Sequence, residues 1–372
     1  MQHLDVAIVG AGPAGIGMAL ALQKIPGLHF GLIESGRIGE SFRRWPQETR
    51  FITPSFYSNP FGMADLNAVN ELSSPAHYSA MEHLSGELYA DYLNMIVQFH
   101  KLPVVTGCKV LELNRSAEKQ FVLKTEQGPL TAQFVIWATG EYQFPDLDAF
   151  PGANLCAHYA QVVTWKDFEA PRYTVIGGYE SGVDATVNLV KLGRQVRLLV
   201  RKPSWDRKSD DPSIALSPYS RELLEQALNS GLLEVVFGVD VTQVEQLADG
   251  GFRVDSADGR SWQENSQPIL ATGFVSGGGA KQIADLWEWD ESGKIMLTEA
   301  DESSKTPGLF LIGPQVRQED RIYCFIYKFR QRFAMLAQNL ALCKNLNSSE
   351  LDPGPGVWGP FGNSECCEGC EC

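Results

Sequence analysis

The chain has 372 residues, 44% of them hydrophobic, with 35 glycines and a formal net charge of -14. That length supports two domains with separate cores, and the charge excludes nucleic acid and anionic membrane as main partners, because both call for a basic surface. No apolar run approaches the roughly 20 residues of a membrane span.

An apolar strand is predicted from about residue 4, which leaves no room for a signal peptide, so the chain reads as soluble and cytoplasmic. The strand runs through Val6-Ala7-Ile8-Val9 into Gly10-Ala11-Gly12-Pro13-Ala14-Gly15. A strand that breaks into a glycine turn and opens a helix is a socket for a pyrophosphate. Gly10 permits the tight turn, Gly12 lets the backbone approach the phosphates, and Gly15 lets helix and strand pack closely. The helix Pro13 to Lys24 follows, and then a strand, Phe30-Gly31-Leu32-Ile33, that ends in Glu34. An acid at that distance is placed to accept hydrogen bonds from ribose hydroxyls. A later apolar strand closes in Ala138-Thr139-Gly140, adding Thr139 and Gly140 to the candidate cofactor site.

The same series recurs further on. Tyr173-Thr174-Val175-Ile176 enters Gly177-Gly178-Tyr179-Glu180-Ser181-Gly182, and Ile269-Leu270 closes in Ala271-Thr272-Gly273. Tyr179 stands where the second glycine belongs, so its side chain is expected where the backbone must meet phosphate. The pyrophosphate is then displaced, or the socket has partly lost its ligand. The next strand, Gln195 to Val200, ends in Arg201-Lys202, with Arg207 and Lys208 beyond. Cations there suit a 2′-phosphate and NADPH; the alternative is a solvated basic turn. Two sockets in one chain indicate two dinucleotides brought together, which is a redox arrangement.

On these motifs the chain resembles the flavoproteins with two dinucleotide-binding domains: low-molecular-weight thioredoxin reductases, bacillithiol-disulfide-reductase-like proteins and flavin monooxygenases. The resemblance implies an α/β fold of two Rossmann-like domains, the second inserted into the first. It places FAD on residues 1–150 and 291–345, NAD(P)H on 151–290, and a flexible linker with a cysteine-rich tail on 346–372. The return to the first domain resembles Thr306-Pro307-Gly308-Leu309-Phe310-Leu311-Ile312-Gly313. The family's aspartate after that glycine is Pro314 here, and the following helix is expected to bring Arg330 and Gln331 near the flavin ring. The stretch Gly39 to Pro46, continued by Arg50 to Ser55, is similar to a flavin-proximal loop, with Ser41 a phosphate donor and Trp45 and Thr53 lining the ring. Five residues separate Phe150-Pro151-Gly152 from His158, an imperfect match to the monooxygenase linker. His158 therefore reads as a cap on the domain hinge, with nicotinamide contact the alternative.

The chain holds eight cysteines and no CxxC where thioredoxin reductases carry theirs. Cys108, Cys156, Cys324 and Cys343 lie singly in apolar segments and read as small core residues. The other four, Cys366, Cys367, Cys370 and Cys372, crowd the last seven residues behind a Gly/Pro linker that is expected to leave the tail mobile. Glu365, Glu368 and Glu371 raise their thiol pKa. Two escapes are open: the tail docks on Arg43, Arg44, Arg330 or Arg332 as a disulfide relay, or its four sulfurs hold a soft metal ion.

The whole reads as an FAD-dependent, NADPH-linked oxidoreductase acting on a small-molecule or protein thiol or disulfide, or on thiolate-bound metal. The alternatives are a flavin monooxygenase of a small nucleophile and a non-catalytic flavoprotein with a metal-binding tail. The oligomeric state is open, a homodimer included.

Overall fold

The computed structural model describes residues 2–58, 63–116, 120–202, 205, 213–319, 321–352, 354 and 356–359. The chain divides into two compact units, 1–43 with 53–143 and 276–372, and 44–52 with 144–275. The second is thus inserted into the first. The divisions fall at 143/144 and 275/276 rather than at 150 and 290, and the stretch 44–52 groups with the second unit.

In the first unit, β1 (Gln2–Val9) leads through α1 (Pro13–Gln23) to β2 (Phe30–Ile33). The helix α2 (Gly86–His100) precedes β3 (Val104–Val105), β4 (Val110–Arg115), β5 (Phe121–Thr125) and β6 (Gly128–Trp137). The sheet order is β3-β2-β1-β6-β5-β4. Val6, Ala7 and Ile8 have no exposed surface, as expected for a central parallel strand covered on both faces.

The second unit repeats the plan. Its parallel sheet contains β7 (Ala157–His158), β8 (Arg172–Ile176), β9 (Gln195–Val200) and β10 (Leu233–Phe237), with α3 (Glu180–Lys191) and α4 (Pro218–Asn229) between strands. The antiparallel strands β11 (Val241–Gln246), β12 (Phe252–Ser256) and β13 (Ser261–Glu264) precede β14 (Ile269–Leu270), and the parallel order is β10-β9-β8-β14-β7. Cys156 packs in its core with Ile176, Leu199, Val254 and Leu270.

The chain re-enters the first sheet at β15 (Leu309–Leu311), which pairs in parallel with the C-terminal part of β6, while β5 takes the N-terminal part. Register sets the position of the turns beyond these strands. Val9 and Leu311 both pair with Trp137, so Gly10, Ala138 and Ile312 leave the sheet side by side at one edge. The carboxyl ends of parallel strands are where such sheets bind ligands.

The last helix, α5 (Phe333–Cys343), packs on α1 where Gly17 faces Phe333. The segment after it departs from the expected flexible linker. Leu351 and Val357 are buried, the Trp358 indole donates to the Val69 carbonyl at 2.9 Å, and Lys24 Nζ lies 5.1 Å from the Trp358 ring centroid. Burial of Leu351 and Val357, with the half-buried Trp358, outweighs the Gly/Pro composition between them.

A side chain at Gly17 would put its Cβ 2.6 Å from Phe333 Cζ, and Phe333 is fully buried. Gly17→Leu is therefore expected to cost about 1–3 kcal/mol of unfolding free energy, with partial recovery in Gly17→Leu/Phe333→Ala. Urea unfolding checks this; wild-type stability in the single variant would disprove the packing.

Candidate dinucleotide sites

The first socket is built by backbone that tolerates no side chain. Gly10 sits at φ +109°, and a Cβ there would lie 2.5 Å from the Ala138 carbonyl oxygen. One at Gly15 would collide with the Gly10 carbonyl, and one at Gly313 (φ +106°) would lie 3.3 Å from the Ala14 Cβ. Pro13 occupies the first turn of α1, where its missing N–H costs nothing, and no side chain caps the helix start at Gly12. Gly10, Gly12, Pro13, Ala14, Gly15, Thr139, Gly140 and Gly313 are therefore gathered at one edge. Glu34 ends β2 beside them: its Oε2 accepts the Ala11 N–H at 2.7 Å and its Oε1 the Gly36 N–H at 2.8 Å. A carboxylate has about four acceptor positions, so capacity for ribose hydroxyls remains.

The rest of the expected flavin surface is rearranged. Ser41 Oγ accepts from Gln143 Nε2 at 3.1 Å in the first unit, whereas Trp45 belongs to the second and packs on Phe51 at 4.9 Å between centroids. Thr53 donates to Asn67 Oδ1 at 2.6 Å in a buried network. Arg330 has no exposed surface: its Nη1 donates to the carbonyls of Asp65 (2.5 Å) and Ala68 (2.7 Å). Through these bonds it clamps the loop at 65–68. Burial lowers its pKa to about 10, partly offset by the charge of Asp65. Gln331 donates to the Tyr327 carbonyl at 2.9 Å. The Pro314 carbonyl accepts from Arg317 at 2.6 Å.

The docking arginines expected for the tail are also committed elsewhere. Arg43 pairs with Glu87 and with Asp91 (2.8 Å), and Arg332 with Asp301 (2.9 Å). A guanidinium held by a carboxylate has little left to offer a thiolate. Cys366, Cys367, Cys370 and Cys372 lie outside the described residues, as do Arg207 and Lys208. No disulfide joins the four described cysteines, and burial pushes the Cys156 thiol up to about 12. Among the described residues no cluster of histidine, cysteine and carboxylate side chains could hold a metal ion.

In the second unit Gly177 takes φ +112° against Ala271, and Gly182 packs on the Gly177 carbonyl, repeating the first turn. Tyr179 is 37% exposed and its hydroxyl donates to the Ala215 carbonyl at 3.1 Å, while the Trp205 indole donates to the Gly178 carbonyl at 2.8 Å. Glu180, expected at the ligand, is spent on the start of α4: it accepts the Ser217 N–H at 2.6 Å and the Ser220 hydroxyl. Ser181 is half-buried in the first turn of α3, and Arg201 and Lys202 are exposed beyond β9. His158 is buried, accepts the Ala160 N–H at Nδ1 and lies 3.0 Å from the Gly273 carbonyl at Nε2. Both nitrogens are used within its own unit, and burial lowers its pKa.

Sequence reasoning missed the polar triad of Thr49, Tyr159 and Asp184. Both hydroxyls donate to Asp184 Oδ2 at 2.8 Å and lie 2.7 Å from each other. Nothing in local pattern joins positions so far apart; an acid on the helix after the glycine turn was the one available signal. Burial raises the Asp184 carboxyl above its ordinary value of 3.8, with the Thr49, Tyr159 and Asn188 hydrogen bonds pulling it back. The folded unit thus holds this proton more tightly than the unfolded chain. The associated stability is full below pH 3.8 and is lost as pH rises through the raised value. Asp184→Asn should flatten the decline of Tm between pH 3.8 and the raised value, and an unchanged slope there would show that Asp184 does not titrate in that window.

A model of the family described as Pyridine nucleotide-disulphide oxidoreductase matches residues 7–313. Bacilliredoxin reductase Bdr of Bacillus subtilis (strain 168) is 25% identical over 239 residues, 64% of this chain and 68% of that protein. The Ferredoxin--NADP reductase of Thermus thermophilus is 24% identical over 365 residues, 95% of this chain and 96% of that one. The solved bacillithiol disulfide reductase Bdr (YpdA) of Staphylococcus aureus superposes with a TM-score of 0.73 at 19% identity, covering 92% of this chain and all of that one.

Proposed function

Because the chain belongs to the pyridine nucleotide-disulphide oxidoreductase family and is an FAD-dependent oxidoreductase linked to NADPH, we propose which residues hold each cofactor and what receives the electrons. FAD lies on the Gly10–Gly15 turn with Glu34 at its ribose. Gly12 carries this reading. It takes an ordinary φ of -84°, and a Cβ there would meet nothing within 4 Å. Neither backbone strain nor packing asks for glycine at that point, but a pyrophosphate drawn onto the helix start does. Bound FAD supplies the electron chemistry; the chain binds and orients it.

Gly12→Val is therefore expected to purify colourless and to fold with the Tm of FAD-free wild type, while Gly10→Val and Gly15→Val lose the fold itself. Full flavin occupancy in Gly12→Val would refute the socket.

NADPH lies on the second unit, where the Gly177 turn supports its pyrophosphate and Arg201 and Lys202 supply cations for the 2′-phosphate. Tyr179 and Trp205 narrow the approach to that turn. The electron acceptor is a thiol–disulfide substrate, in keeping with the family and with a relative named as a bacilliredoxin reductase. The C-terminal cysteines carry the exchange. Trp358 roots the tail beside the end of α1, about 16 Å along that helix from Gly12 at 1.5 Å per residue. An extended chain reaches about 29 Å from Trp358 to Cys366, enough to span that distance.

Deleting residues 364–372 should leave FAD content and flavin reduction by NADPH unchanged while disulfide turnover falls at least about tenfold, since an exchange relay needs a paired thiol. Wild-type turnover by the truncated enzyme would eliminate the relay, and loss of bound metal alone would assign the tail to metal binding. Substrate-dependent oxygen uptake would instead identify a monooxygenase.

A further inference from the structure

Beside the first socket three chain segments are joined by side chains that the dinucleotide fold does not require. Glu141 directly follows Gly140, and Gln315 stands two residues after Gly313. Gln315 Nε2 donates to Glu141 Oε2, and its Oε1 accepts the Gly277 N–H at 3.0 Å. The Gly279 N–H donates to the Gly140 carbonyl at 2.8 Å, and the Trp137 indole donates to the Gly279 carbonyl at 2.9 Å. Gly278 lies so close that a Cβ would fall 2.6 Å from the Gly140 oxygen and 2.9 Å from Glu141 Cα. Burial raises the Glu141 carboxyl, while Arg317 and the Gln315 hydrogen bond pull it back. Both side chains are half-buried, so the bond is partly shielded from water, where a hydrogen bond holds its geometry better than in bulk solvent.

We propose that Glu141 and Gln315 form a positioning bridge that retains FAD. The Thr139–Gly140 turn backs onto Gly10, and Gly313 lies against Ala14 in the first turn of α1. Both walls therefore touch the turn assigned to the pyrophosphate. A bridge from residue 141 to residue 315 fixes their separation before the ligand arrives, and Gly277 ties in the segment that re-enters the unit. Walls already in place lose less freedom on binding, which appears as affinity. The inference rests on the FAD assignment of the Gly10–Gly15 socket.

The test uses the full chain with Glu141→Ala, Gln315→Ala, the double variant and Glu141→Gln. Free flavin fluorescence reads the FAD Kd, visible circular dichroism reads the bound flavin, and Tm is measured with and without FAD. Each alanine variant is expected to raise Kd about tenfold, as for a buried polar group deprived of its partner. The double variant should be no worse than the weaker single, because both remove one bridge. Glu141→Gln should stay within about threefold, since an amide oxygen still accepts from Gln315. The rise in Tm that FAD confers should shrink in the alanine variants. A lowered Tm without FAD combined with wild-type Kd would make the bridge merely structural and overturn the proposal. Should Glu141→Ala fail to fold, the swapped pair E141Q/Q315E decides: Kd near wild type supports the bridge, and Kd as high as in Gln315→Ala overturns it. FAD retained by Gly12→Val would sink the socket assignment; FAD lost there but held normally by Glu141→Ala sinks the bridge alone.

Discussion

The close approach of the Gly10 turn to the Ala138 carbonyl is the constraint on which the first unit's site depends. It requires φ +109° at Gly10 and a bare α-carbon at both Gly10 and Gly15. Given those, α1 can start within hydrogen-bond reach of the strand end and present its uncapped first turn at the edge of the sheet. The parallel register of β1, β6 and β15 then places the Thr139–Gly140 and Gly313 turns beside it. Three segments distant in sequence become one surface because their strands end level.

The two units share this backbone device but use their side chains differently. At the first turn, the position over Gly12 is open and the acid at the end of β2 is held by two backbone N–H groups. At the second, the corresponding space carries Tyr179, the neighbouring carbonyl is taken by Trp205, and Glu180 anchors α4. A negative side chain in the first turn of a helix complements the dipole, but here its hydrogen bonds go to protein.

Several charged side chains among the described residues are engaged within the protein. Arg43, Arg330 and Arg332 are each engaged by carboxylates or by backbone carbonyls, and Asp184 is held by two hydroxyls. A buried ion left without its partner is costly, so these groups are held where they stand. The described part of the C-terminal segment is held by apolar contacts instead, with Trp358 seated on the Val69 carbonyl and beside Lys24.

The sequence by itself determined the two glycine turns, their flanking strands and helices, and the place of Glu34, because each rests on local rules: strand periodicity, φ > 0 and helix starts. The fold class and the insertion of one unit in the other were implied by the family resemblance, and the division of the chain carries the insertion. It also placed the cysteine cluster, which composition alone reveals. Only the tertiary structure decided the fates of side chains whose partners lie far away in the chain. Arg330 is held by the carbonyls at 65 and 68, which lie more than 260 positions away. Trp45 groups with the second unit because the stretch 44–52 packs there. Glu141 met Gln315 across 174 positions, a pairing that arises from level strand ends and from no pattern readable along the chain. A hydrogen bond depends on position to within a few tenths of an ångström, and that precision comes from packing rather than from residue order.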